Sequence, residues 1–230
     1  MKHMKTLRSN ATDFLRNLPL FQTLNENELK QVEEMSTLKH CIKQEVIFEA
    51  GAASHAVYFL IKGIVKIGAV YDDGREVIKH VLYPMAMFGE LSLVGEERRQ
   101  DTAIAMEDTQ LYIIKAEAFR KLMQTNPDLS MRLLTLIGNR LRRTESRLES
   151  LILKDARERI IDFLRDSALK QGKRIGYEML IKHCLTQQDI ANITGTSRQT
   201  VTSVLNDLKK SNLIYFNRRS ILIRDLAKLS

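Results

Sequence analysis

The chain has 230 residues, 44% of them hydrophobic, which is enough for one large domain or two small ones, each with its own core. No run of about 18 apolar residues occurs, which excludes a helical membrane span. The two cysteines, Cys41 and Cys184, exclude a disulfide framework and a cluster held by four thiolates. The net charge of +8 is uneven: residues 151–230 hold 15 Lys and Arg against 8 Asp and Glu, a net of +7, and the first 150 residues carry the remaining +1. A basic final third points to nucleic acid, or to a basic face that is merely solvated.

The opening "MKHMKTLRSNATDFLRNLPLF" lacks a continuous apolar core and a small-residue cleavage site, so the cytoplasm is the expected location. "ENELKQVEEM" predicts a short amphipathic helix. Then come stretches rich in Val, Ile, Tyr and Phe with glycines between them: "EVIFEAG", "AVYFLIKG", "IVKIGAVY", "EVIKHVLY" and "QLYIIKAEAF". "DDGR" at Asp72–Arg75 is a hairpin turn signal between two of them. Many short strands with glycine turns predict a β-roll or jelly roll.

After Pro127 the texture changes. Leu134, Ile137, Leu141, Thr144, Leu148 and Leu151 are spaced 3, 4, 3, 4, 3. This narrow seam predicts a two-stranded coiled coil between two copies of the chain; a helix packed on its own roll is the other reading. Thr144 is polar in mid-seam, either as a register device or as a contact to something bound nearby. "ARERIIDFLRDSAL" predicts a further helix, and "NLIYFNRRSILIRD" two strands around Asn217–Ser220.

Between them lies "LTQQDIANITGTSRQTVTSVLNDLKK". Thr186 can cap a first helix, with Asp189 three residues on, and Gly195 can turn with positive φ. Thr196 with Gln199 predicts the second cap. On the second helix Val201, Val204, Leu205 and Leu208 face inward by the i, i+3, i+4, i+7 rule. The opposite face carries Arg198, Gln199, Thr202, Ser203 and Asn206, side chains able to meet base edges and phosphates. Two short helices across a glycine turn, the second polar outside, predict a helix-turn-helix; an αα-hairpin with a solvated face is the blander reading. Arg198 can be bidentate to guanine and Gln199 to adenine, and Thr202 and Ser203 are adaptable. Thr186, Arg218 and Arg219 are phosphate candidates, and Ser197 joins the DNA-facing set.

The order of these parts resembles the CRP/FNR transcription regulators over nearly the whole chain. "FEAGAASHAVYFLIKG" is similar to that family's early roll, "FGELSL" to its ligand-pocket turn, and "LTQQDIANITGTSRQTV" to its DNA-reading unit. The resemblance implies an α+β fold in three parts: a cyclic-nucleotide-binding-like sensor roll at 1–127, a dimerisation helix at 128–153 and a winged helix-turn-helix at 154–230. It implies a homodimer on double-stranded, pseudo-palindromic DNA, with RNA polymerase as a partner if the protein activates, and no membrane partner. The hinge is expected near Leu153–Ala156.

The same resemblance implies an effector site. Members that bind cyclic AMP use a Gly-Glu-Leu turn, matched by Gly89, Glu90, Leu91 and Ser92. They use an arginine, usually followed by Ser or Thr and Ala, for the cyclic phosphate. Alignment puts Arg99 there, or Arg98 if the register slips by one. Arg140 and Thr144 match helix residues near the pocket. Gln100 and Asp101 depart from the small residues usual after that arginine, Glu145 departs likewise after Thr144, and a carboxylate beside a phosphate is repulsive. Glu90, Arg99 and Arg140 could instead form an internal ion-pair network. A different effector, or none, is therefore expected ahead of cyclic AMP. The sequence holds no nucleophile–base–orienter set and no metal spacing, so an enzyme is not expected. The competing class is a nucleotide-binding module that reports to a protein partner.

Overall fold

The computed structural model describes residues 14–71, 73–217 and 219–229. It divides into two units, Met1–Ala69 with His80–Arg142, and Val70–Lys79 with Arg143–Ser230. The expected domain limits lie at the ends of the long helix; the unit boundary falls inside it.

The first unit opens with helix α1, Glu26–Met35, started by a capping box. Asn25 accepts from the N–H groups of Asn27 and Glu28, and the Glu28 carboxylate returns to the Asn25 N–H. The strands are β1 (Ser36–Cys41), β2 (Val46–Phe48), β3 (Ala56–Lys62), β4 (Val65–Val70), β5 (Glu76–Leu82), β6 (Met87–Phe88), β7 (Thr102–Ala105) and β8 (Thr109–Lys115). They form two four-stranded sheets, β1-β8-β3-β6 and β2-β7-β4-β5. All five stretches expected to be strands contain one. Helix starts within the last: Ala116–Thr125 is α2, whose Phe119 and Leu122 are buried. Strands β1 and β6 were not foreseen.

One core cluster gathers Phe21, Phe59 and Phe119 with Leu29, Val32, Leu129 and Leu133. Another gathers Tyr58, Leu60, Val65, Phe88 and Leu111 with the Cys41 side chain. Burial raises the Cys41 thiol pKa, so this cysteine is a small apolar residue here, not a reactive one. Helix α3, Pro127–Leu153, begins with proline at a position that needs no N–H donor, and Asn126 accepts from the Leu129 N–H at 3.0 Å.

The second unit holds α4 (Ala156–Gln171), β9 (Lys173–Ile175), β10 (Glu178–Lys182), α5 (Gln187–Thr194), α6 (Arg198–Lys210), β11 (Ile214–Phe216) and β12 (Ser220–Ile223). Asp155 caps α4 in a box with Glu158, and its extended backbone (ψ 172°) ends the helical path of α3. The small sheet has four strands, β11-β12-β10-β9. The expected pair at its C-terminal end is there; the β9–β10 hairpin was not foreseen. Among the described residues no helix is long and apolar enough to cross a membrane.

Gly63 sets the tight connection from β3 to β4. Its φ is +94°, and a Cβ there would lie 2.4 Å from the Thr109 hydroxyl and 2.8 Å from the Thr109 Cα. Gly63→Ala is expected to lower stability by roughly 2 kcal/mol or more, read by urea unfolding. Unchanged stability would mean that the two strands part without cost.

Candidate nucleic-acid interface and sensor site

Helix α5 starts at a capping box. Thr186 accepts from the Asp189 N–H at 3.1 Å, while the buried Asp189 carboxylate accepts from the Thr186 N–H at 2.8 Å and its hydroxyl at 2.7 Å. The helix ends at Gly195, with φ 64° and ψ 46°. A side chain there would be strained by φ, and its Cβ would stand 3.0 Å from Leu151 Cδ2. Helix α6 then starts one residue later than expected. Its cap is Ser197, not Thr196: the Ser197 hydroxyl accepts from the Thr200 N–H at 3.0 Å, while the Thr196 N–H is tied back to the Ala191 carbonyl. Gln199 is thereby free of the capping box proposed for it and is exposed.

Val201, Val204, Leu205 and Leu208 are buried, as the spacing requires. Arg198, Gln199, Ser203 and Asn206 are exposed along the other face. Thr202 differs from them. It is half-buried, and its hydroxyl lies 2.7 Å from the Gln187 side-chain oxygen and 2.9 Å from the Arg198 carbonyl. Its single proton thus has two acceptors in the protein. Arg219 is exposed at the β11–β12 turn, where Asn217 accepts from the Arg219 and Ser220 N–H groups, each at 2.9 Å. Arg218, and Asp72 of the "DDGR" turn, lie outside the described residues.

A feature the sequence did not disclose holds α5. Its last carbonyls, at its electronegative end, are met by two arginines. Arg159 of α4 donates to the Thr194 carbonyl at 2.9 Å, the Gly195 carbonyl at 3.1 Å and the Lys154 carbonyl at 2.7 Å. Arg147 of α3 donates to the Ile193 carbonyl.

In the first unit, Gly89 (φ 72°) precedes a turn of 3₁₀ helix, Glu90–Leu93. A Cβ at Gly89 would stand 3.0 Å from the Tyr58 ring and 3.2 Å from the Ala56 carbonyl. The structure brings Gly89, Glu90, Ser92, Arg99 and Arg140 together, with Leu91 turned partly to solvent. Arg140 donates to the buried Glu90 carboxylate and to the Met87 carbonyl. Arg99 is 4% exposed. It donates to the Gly89 carbonyl at 3.0 Å, the Glu96 carboxylate at 3.2 Å and the Ala56 carbonyl, and its guanidinium lies 4.5 Å from the Phe48 ring centroid. The inward pairs are therefore Arg140–Glu90 and Arg99–Glu96. Thr144 belongs to the second unit and is exposed.

Along α3 the expected seam is open. Leu134 is 60% exposed, and Leu141 and Leu148 are each 59% exposed. Leu151 and Thr144 are exposed too, while Ile137 packs against the first unit's aromatic cluster.

Comparison with known proteins agrees with this arrangement. The cyclic nucleotide-binding domain family matches residues 38–126, and the Crp-like helix-turn-helix domain family matches residues 158–230. A CRP-like cAMP-activated global transcriptional regulator of Mycobacterium tuberculosis is 33% identical over 184 residues, covering 80% of this chain and 82% of its own. The chain belongs to the CRP/FNR family of transcription regulators. A global nitrogen regulator of Synechococcus elongatus is 30% identical over 220 residues, covering 93% of this chain and 95% of its own. The structure of a CooA mutant from Carboxydothermus hydrogenoformans superposes with a TM-score of 0.75 at 25% identity, covering 93% of this chain and 94% of that one. The expected α+β architecture, a β-roll, a long helix and a helix-turn-helix, is the one this CRP/FNR chain adopts.

The second unit also carries a titratable core group. His183 Nδ1 lies 3.1 Å from the Leu185 carbonyl, and its Nε2 is buried without a partner. Burial lowers the His183 pKa from 6.5, against a smaller upward pull from the Leu185 hydrogen bond. The unfolded chain therefore takes up this proton first as pH falls. The stabilisation is full above about pH 6.5 and is lost as pH drops below it toward the folded value. Urea unfolding between about pH 7.5 and 5 should show this decline, and His183→Gln should flatten it. An equal slope in the variant would place the effect elsewhere.

Proposed function

We propose that this regulator acts in the cytoplasm as a homodimer, joined along the α3 seam, that reads a pseudo-palindromic duplex with one α6 in each half-site. The observation that carries this is the exposed polar face of α6, from Arg198 to Asn206, over a buried apolar one, within residues 151–230 of net charge +7. Two apolar stripes exposed on single chains cover each other when α3 pairs with its copy. The two-fold axis then sets half-sites about 34 Å apart. Arg198 and Gln199 read bases, Ser203 adapts to its neighbour, and Arg219 with Arg218 of the wing meets phosphates. Thr186 and Ser197 serve first as caps and meet the backbone from those positions. RNA polymerase is the further partner if the protein activates. No catalytic role is assigned.

The roll is the seat of effector control, as in a regulator whose ligand favours one arrangement of the DNA-binding pair. Cyclic AMP is less favoured by the residues present than a different effector or none, although the buried Arg99 Nε has no partner. A cyclic phosphate is held best by the terminal N–H groups of an arginine, and those of Arg99 are directed inward onto two carbonyls and Glu96. Arg98 donates to the Gly51 carbonyl at 2.8 Å. An effector of another chemistry is the reading these residues favour.

Selection of bound duplexes from a random pool tests the DNA reading. A two-fold-related site should emerge, and Arg198→Ala should lose discrimination at one base pair per half-site, by roughly 1–3 kcal/mol. Equal weakening on every duplex would make Arg198 a phosphate contact instead. Enrichment of no site would remove the function proposed.

A further inference from the structure

Thr202 sits one turn after Arg198 on α6, and it is half-buried where Arg198 is exposed. Its hydroxyl lies 2.7 Å from the side-chain oxygen of Gln187, the first residue of α5, and 2.9 Å from the Arg198 carbonyl. One proton cannot serve both oxygens. A half-turn of the Gln187 carboxamide resolves the conflict: its NH2 group then donates to the Thr202 hydroxyl, and that hydroxyl donates to the Arg198 carbonyl. In either orientation one hydrogen bond joins the first turn of α5 to the opening turns of α6. Gln187 is itself held in place, because Thr186 before it and the buried Asp189 close the capping box of α5. Helix α6 otherwise buries Val201, Val204, Leu205 and Leu208, an apolar face whose attraction has no direction. Such a face lets a helix turn slightly about its axis; a side-chain bond of fixed length does not. Residues four apart on a helix lie one above the other, so this bond acts at the turn that carries Arg198.

We propose that Thr202 is a positioning residue for base reading. With Gln187 it forms a clasp that fixes the rotation of α6 about its own axis, and so the place from which Arg198 reaches a base, without touching DNA itself. The idea rests on the DNA reading above, and it takes Thr202 out of the base-contacting set in which the sequence places it.

The test compares the operator selected by the full-length chain with a random duplex at one salt concentration. Thr202→Val keeps the shape of the side chain and removes the hydroxyl. Operator affinity should fall about fivefold, the size of one neutral hydrogen bond, while random-duplex affinity holds. Discrimination should be lost at the same base pair that Arg198→Ala affects. Thr202→Ser restores the hydroxyl and should bring the ratio of the two affinities back to within about twofold of the unaltered chain. Gln187→Leu should lower the ratio as Thr202→Val does, and the double variant should be no worse than either alone, because both remove one bond. An unchanged ratio in Thr202→Val, no rescue by serine, or additive losses would overturn the clasp. So would loss at a base pair other than that of Arg198, which makes Thr202 a direct reader, or equal losses on both duplexes, which show general damage to the unit. If the unaltered chain prefers no operator, the DNA reading fails and the clasp with it. If it does prefer one and Thr202→Val keeps the ratio, the clasp alone fails.

Discussion

A guanidinium taken out of water must find acceptors for a rigid fork of N–H groups, and irregular backbone must find donors for its carbonyls. Within each unit of this chain, arginines and carbonyls largely answer one another. In the first, Arg99 closes the Gly89 turn onto Ala56, and Arg140 ties α3 to Met87 and Glu90. In the second, Arg147 and Arg159 take the final carbonyls of α5. These are multi-acceptor contacts at partly or fully buried positions, and they orient what surface ion pairs such as Lys121–Glu117 barely affect. The positive charge of the chain therefore does two jobs. Some arginines hold backbone in place, and others, Arg198 and Arg219 among them, face solvent.

The consequence for recognition is a division of labour within the helix-turn-helix. Thr186, Ser197 and Thr202 have hydroxyls already engaged in caps or between helices. Arg198, Gln199 and Ser203 are exposed beside them. A base-reading side chain loses less entropy when the helix under it is fixed, and the caps and arginines fix it.

Much of this was legible in the sequence because it is local. The amphipathic helix at Glu26–Met35, the a/d spacing of α3, and the Thr186–Gly195 frame are set by residues within a turn or two of each other. The cap of α6 slipped by one because Thr196 and Ser197 are both good caps, and the choice falls to the Thr196 N–H, which bonds back to Ala191. Strand β1, "STLKHC", shows little apolar alternation and is recruited by six residues of β8. Arg99 was illegible for the same reason. Alignment can place it at a phosphate position, but its direction is decided by Ala56, 43 residues away in sequence. Arg147, with partners 46 to 69 residues away, carried no sequence signal beyond its place beside the seam.

The central claim is that the sensor roll's arginines are structural and face inward. Calorimetric titration of cyclic AMP into the protein tests it most directly. The account predicts no saturable heat and no change in affinity for DNA. Saturable binding at micromolar nucleotide would show that Arg99 leaves Gly89, Ala56 and Glu96 for a phosphate, and would contradict it.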